Sequence, residues 1–294
     1  MSILVIISNG YSVYRKKGRL NIKTTNGENS YPVSRLSSLF LVGGGTITTE
    51  AIGMLSSAGV SLCLMSKNFR IKGIFIPEEN IGSIVERRIQ QYTLWKSSRL
   101  EVAKKIVSLK IERIQQEFKT DLNHYLALVD KVQSISELMG YEGLVSKIMF
   151  DILSKSVPIF KERSYRPPTD PVNAVLSFVY TLSYQKAKAI LLSLSFDPYL
   201  SFLHNGRGKH AGFASDLIEP VRPILTRFVM KLFIENKLKE GYFSKNGNKH
   251  IMSKEALNIL IEEYTDVLRE IIEKMYKDLF KILKLEYHNE TCDL

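Results

Sequence analysis

Pro77-Glu-Glu-Asn-Ile-Gly-Ser-Ile-Val-Glu-Arg-Arg-Ile-Gln-Gln-Tyr-Thr-Leu-Trp95 is where this chain changes its period. Before it, short runs are punctuated every ten residues or so by turn chemistry. After it, side chains recur at helical spacing: Ile84, Val85, Arg88, Ile89, Tyr92 and Trp95, continued by Val102, Ile106, Leu109, Ile111 and Ile114. The change divides the chain into a β-rich part, residues 1–80, and a larger α-helical part, residues 81–294, joined near Glu78–Asn80. The expected fold class is therefore α+β, with a small β-rich N-terminal domain followed by a larger all-α domain.

Within the first part, Ser2 to Ile7 reads as an apolar strand ending at a hairpin turn, Asn9-Gly10. Ser12–Arg15 and Leu20–Lys23 alternate across Lys17-Gly18, and a further turn at Asn26-Gly27 precedes Tyr31-Pro-Val33. Leu39–Val42 runs into Gly43-Gly44-Gly45, which reads as a turn. It is no phosphate loop, because no Gly-Lys-Ser/Thr follows, and Gly206-Arg-Gly-Lys209 also fails that spacing. A helix over Thr49–Ala58 and strands over Val60–Met65 and Ile71–Ile76 complete this part. At the other end, Ser253 reads as the N-cap of a long helix reaching Lys284, with a polar tail from about Tyr287.

Composition narrows the function. The 294 residues are 45% hydrophobic and 24% charged, enough for a real core. No apolar run approaches a membrane span and no secretory signal precedes the first strand, so a cytoplasmic protein is expected. Cys63 and Cys292 are too few and too far apart for a disulfide framework or a zinc site. The net charge of +11 favours polyanion partners. The cations cluster at Arg15-Lys16-Lys17 with Arg19, at Arg87-Arg88, at Lys161, Arg163 and Arg166, at Lys186 with Lys188, and at Arg207 with Lys209. Without a basic amphipathic terminus, nucleic acid is favoured over membrane.

The chemistry concentrates in Ser201–Pro223. This segment holds His204, a glycine-and-cation turn with Arg207 and Lys209, then Asp216 and Glu219 three residues apart, and Arg222. Two carboxylates sharing a helix face beside an imidazole and several cations suit a divalent metal facing a phosphate. Pro220 removes a helical amide, so a kink or a new helix start is expected there. Upstream, Glu142 interrupts an apolar stripe of Leu138, Val145, Met149 and Ile152. A carboxylate so placed must be protonated, paired with a cation or bound to a metal. Simpler roles exist: Glu142 in a salt bridge, His204 as a turn histidine, Asp216 as an N-cap or a partner of Arg222. His124 and His210 read as surface or turn residues.

Four motifs in order then carry a resemblance: Tyr141-Glu142-Gly143; Arg166-Pro-Pro-Thr-Asp-Pro-Val-Asn-Ala-Val-Leu-Ser-Phe178; Asp197-Pro-Tyr-Leu-Ser-Phe-Leu-His204; and Asp216-Leu-Ile-Glu-Pro-Val-Arg-Pro223. Together they resemble the CRISPR-associated spacer-acquisition integrases, the first-numbered Cas family, over essentially the whole chain. The resemblance implies a metal-dependent DNA endonuclease and integrase that inserts short foreign duplexes into a CRISPR array. It implies that Glu142, His204 and Glu219 hold Mn²⁺ or Mg²⁺, with Asp216 supporting. Pro220 and Val221 depart from a second acid and an aromatic that many members carry. It further implies a homodimer, with the β-rich part as the dimerisation region, and a dimer of a small ferredoxin-like CRISPR-associated partner. The DNA would be the double-stranded spacer precursor and the CRISPR repeat, with Arg166, Arg207, Lys209 and Arg222 as candidates for phosphate contact. A branched-DNA repair nuclease and an inactive DNA-binding scaffold are the alternatives, although a scaffold has no use for an expensive buried carboxylate.

Overall fold

A computed structural model describes residues 2–67, 71–77, 81–165, 167–205 and 210–285. The first part builds a six-stranded mixed sheet from β1 (Ser2–Lys16), β2 (Arg19–Thr24), β3 (Gly27–Tyr31), β4 (Leu36–Ile47), β5 (Ser61–Met65) and β6 (Ile71–Phe75), in the order β3-β2-β1-β4-β5-β6. The turns at Lys17-Gly18 and Asn26-Gly27 form as expected, joining antiparallel neighbours. Helix α1 (Thr49–Ser57), capped by the Thr48 hydroxyl, crosses between the parallel strands β4 and β5.

Two turn expectations fail for one shared reason. Asn9-Gly10 makes no hairpin, and Gly43–Gly45 makes no turn. Instead β1 runs on through Gly10 (φ +99°), with a bulge between Asn9 and Tyr11, and lies parallel to β4, whose interior contains all three glycines. A Cβ on Gly43 (φ +114°) would stand 2.1 Å from the Ser8 carbonyl oxygen, and one on Gly45 would stand 2.2 Å from the Tyr11 ring. Gly43 and Gly45 are thus close-approach positions within a long parallel ladder.

The helical part comprises α2 (Ile81–Phe118), α3 (Asn123–Lys131), α4 (Ile135–Ser156), α5 (Pro171–Ser193), α6 (Gly212–Ile218), α7 (Arg222–Ile234) and α8 (Lys254–Leu283). Ser134 caps α4, its hydroxyl accepting from the Glu137 amide while the Glu137 carboxylate accepts from the Gln133 amide; Asp170 caps α5 ahead of Pro171, and Ser253 caps α8. A hairpin of β7 (Phe243–Asn246) and β8 (Lys249–Met252), turning at Gly247 (φ +59°), adds two strands to a part read as wholly helical. Its signal is the Asn246-Gly247 pair.

Strand alternation divides the sheet between two cores. Leu39, Leu41 and Leu62 pack with α1, whereas Phe40, Val42, Cys63 and Met65 join the core of the helical part. Helix α5 lies against that second face, with the Ser61 hydroxyl donating to the Ser193 carbonyl at 3.0 Å. It is buried on most sides, which moves Lys186 from the surface cluster expected of it into the interior.

Helix α2 bends at Ser98 (φ −142°) and turns the opposite way from the expected apolar face at its start. Val85, Ile89 and Tyr92 are exposed, while Gln91 is buried. Its side-chain NH₂ donates to the carbonyls of Asp197 and Leu200, and its carbonyl accepts from the Asp197 amide. Trp95 and Arg99 follow, donating to the carbonyls of Ser201 and Phe202. One face of α2 therefore grips the backbone of 197–202, the segment leading to His204.

Candidate active site

Five segments converge on a cavity of about 680 Å³ lined by Lys110, Glu142, Ser146, His204, Glu219 and, at the start of α7, Arg222, among others. Lys110 comes from α2, Glu142 and Ser146 from α4, and His204 from the segment gripped by α2. Pro220 ends α6 and opens a single 3₁₀ turn, Glu219–Val221, before α7. That turn, the kink expected at Pro220, carries Glu219 into the wall.

Asp216 organises the histidine. Fully buried, its carboxylate accepts from the backbone amides of Phe202, Leu203 and His204 at 2.7, 3.1 and 3.0 Å, and faces His204 Nδ1 at 2.8 Å. Asp216 is thus neither an N-cap nor a partner of Arg222. With Nδ1 held, Nε2 faces Glu219 Oε1 at 3.7 Å. Burial lowers the His204 pKa, but the Asp216 bond and the charges of Glu219 and Asp216 outweigh it and raise the value.

Two basic residues divide Glu219. Arg222 Nε lies 2.8 Å from Oε1, and Lys110 Nζ lies 2.7 Å from Oε2. Burial pushes the Glu219 carboxyl up, but Arg222, Lys110 and His204 together hold it at about 2. Lys110 also donates to Glu142 Oε1 and to Ser146 Oγ, and Ser146 donates to the same Glu142 oxygen at 2.8 Å. The Arg222 guanidinium lies 4.8 Å from the centre of the Tyr180 ring.

The residues singled out in the sequence therefore come together: Glu142, His204, Glu219, Asp216 and Arg222 share one site. Arg166, Arg207 and Lys209 lie outside the described residues. Lys110 and Ser146 were missed. Lys110 was legible by the logic applied to Glu142, since it interrupts the buried stripe Ala103, Ile106, Val107 and Ile114 of α2. Arg163, counted only as a surface cation, is half-buried and tied to Asn173 Oδ1 and Ser177 Oγ at 2.7 and 3.0 Å.

Among the described residues, no three His, Cys, Asp or Glu side chains stand close enough as placed to hold a metal ion. The donor chemistry nevertheless fits one. Two carboxylates and an imidazole with its far nitrogen anchored by a carboxylate form the type of set that binds hard divalent ions. The position between the carboxylates is filled by a cation of the protein's own, the Lys110 ammonium.

The family model for CRISPR associated protein Cas1 matches residues 4–266, and the chain belongs to that family. The CRISPR-associated endonuclease Cas1 of Methanocaldococcus jannaschii is 24% identical, over 96% of this chain and 92% of the relative. Two solved structures share the fold. A casposase bound to integration product is 21% identical, with a TM-score of 0.68, covering 98% of this chain and 100% of that one. A partial Cas6-RT-Cas1–Cas2 complex is 18% identical, with a TM-score of 0.71, covering 98% and 99%. No helix among the described residues is long and apolar enough to cross a membrane.

Proposed function

We propose that this chain works in CRISPR adaptation as a divalent-metal-dependent DNA endonuclease and integrase, joining short foreign duplexes to the CRISPR repeat. The observation that carries the reading is the meeting of Glu142, His204 and Glu219 on one cavity wall, in a member of the Cas1 family. Those three residues would hold Mn²⁺ or Mg²⁺. When bound, the ion supplies Lewis acidity toward the scissile phosphate and toward the attacking 3′-hydroxyl or water.

The chain's own groups prepare this chemistry. Asp216 fixes the orientation of His204, leaving Nε2 turned to the cavity side of Glu219. Arg222 keeps Glu219 ionised and brings a guanidinium to the cavity wall, where a phosphate oxygen can meet it. Arg166, Arg207 and Lys209 are proposed to steady the DNA backbone, positioning it without reading sequence. The exposed Val85, Ile89 and Tyr92 stripe supports a homodimer, since apolar side chains grouped this way favour cover by another protein surface. The proposed partner is a dimer of the small ferredoxin-like CRISPR-associated protein, a part suggested by the Cas1–Cas2 complex that shares this fold.

The test is transfer of a labelled short duplex into a supercoiled plasmid carrying a CRISPR repeat, with Mn²⁺ or Mg²⁺, with and without that partner. Joined product is expected, and it should disappear in Glu142→Ala and His204→Ala while DNA binding and fold persist. Cleavage without joining, even with the partner, would move the assignment to a repair nuclease. Undiminished joining in either variant would remove these residues from the site.

A further inference from the structure

Lys110 is a built-in occupant of the position that the proposed divalent ion would take. Its ammonium touches the two carboxylates assigned as ligands and also Ser146 Oγ, which satisfies all three of its donors. It is 1% exposed and projects from an otherwise apolar stripe of α2, so in its present rotamer the ammonium is shielded from solvent. Charge is balanced in this arrangement, with Lys110 and Arg222 standing against Glu142 and Glu219. A divalent ion added to the same oxygens would set three cationic groups on two carboxylates. Arg222 contacts Glu219 alone, through Oε1, and can stay, whereas Lys110 bridges Glu142 and Glu219 and cannot share them with an ion held between the two acids. The cavity beside Lys110 has room to receive it.

We infer that Lys110 is a placeholder cation: it holds the ligand carboxylates together in the metal-free protein and must swing off them for a divalent ion to bind. The inference rests on the metal-site reading above. It makes metal loading a competition between an internal ammonium and an external ion. The site is thereby kept assembled and uncollapsed until the ion arrives, at the expense of apparent metal affinity.

The test measures Mn²⁺ binding by electron paramagnetic resonance, with no DNA and no turnover, in the wild type, Lys110→Met, Glu142→Gln and Lys147→Met. Lys147 lines the same cavity but has an exposed side chain, so Lys147→Met controls for the general loss of one positive charge. The dissociation constant should fall by about tenfold or more in Lys110→Met, because a like charge leaves contact distance. Lys147→Met should change it much less, and Glu142→Gln should weaken binding. Equal or weaker binding in Lys110→Met, or equal tightening in Lys147→Met, overturns the placeholder. If no protein binds Mn²⁺ in a manner sensitive to Glu142→Gln, the metal-site reading itself fails.

A second measurement covers the chance that Lys110→Met does not fold. In the wild type, acylation of Lys110 by an amine-reactive reagent, followed by mass spectrometry, should rise several-fold when Mn²⁺ is added. Unchanged labelling under conditions where Mn²⁺ binds overturns the displacement.

Discussion

Asp216→Asn separates positioning from chemistry at the scale of single residues. The carboxylate takes three backbone amides and the His204 ring, and an amide in its place would turn an NH₂ toward donors. Denaturant unfolding should show a loss of about 3 kcal/mol or more, as for other broken buried charge networks. An unchanged midpoint would mean that the 202–204 turn holds itself. Lys186 offers a pH test. Burial pushes its ammonium down to about 7 from an ordinary value of 10.5. Between those values the unfolded chain keeps a proton that the folded chain has released, so raising the pH favours folding. From pH 7 to 9 the wild type should gain stability relative to Lys186→Met, by up to about 1.4 kcal/mol per pH unit. A difference that does not move with pH would show that Lys186 keeps its charge inside.

Among the elements, β4 is the one whose sequence misleads. Three consecutive glycines ordinarily mark a turn, yet they run through the middle of a twelve-residue strand because β1 passes so close. Gly43→Ala meets both a left-handed φ and the Ser8 carbonyl. It should lower stability by more than about 1 kcal/mol in chemical denaturation, whereas Gly44→Ala, with open space around its Cβ position, should cost less. Equal losses would point to loop flexibility. By contrast α4, α5 and α8 begin where Ser134, Asp170 and Ser253 place their caps, since an N-cap is a local hydrogen bond that needs no distant partner.

Across the whole molecule, the site depends on contacts between segments about a hundred residues apart. Gln91 makes three hydrogen bonds to the 197–200 backbone and so ties the start of α2 to the approach to His204. Gln91→Ala should raise amide hydrogen exchange across 197–205 and slow strand transfer, with the global unfolding midpoint moving much less. Unchanged exchange in that segment would leave its placement to Trp95, Arg99 and Asp216. The two cores on opposite faces of one sheet give the same lesson in apolar terms: Phe40 and Leu39 are neighbours in sequence and belong to different interiors.

The sequence by itself determined what is local or periodic: the change from strands to helices near residue 80, the cap at Ser253, two of the hairpins, the break at Pro220, and Glu142 as an acid out of place on an apolar stripe. Its ordered motifs also carried the family, because several residue types must recur in sequence to build one site. Tertiary structure decided what depends on distance: the parallel pairing of β1 with β4, the outward turn of Val85, Ile89 and Tyr92, the burial of Lys186, and the meeting of Lys110 with Glu142 and Glu219. Helical period states which residues share a face, but not which face is covered. A charge on a buried stripe declares that it needs a partner, and only the fold supplies the partner's identity.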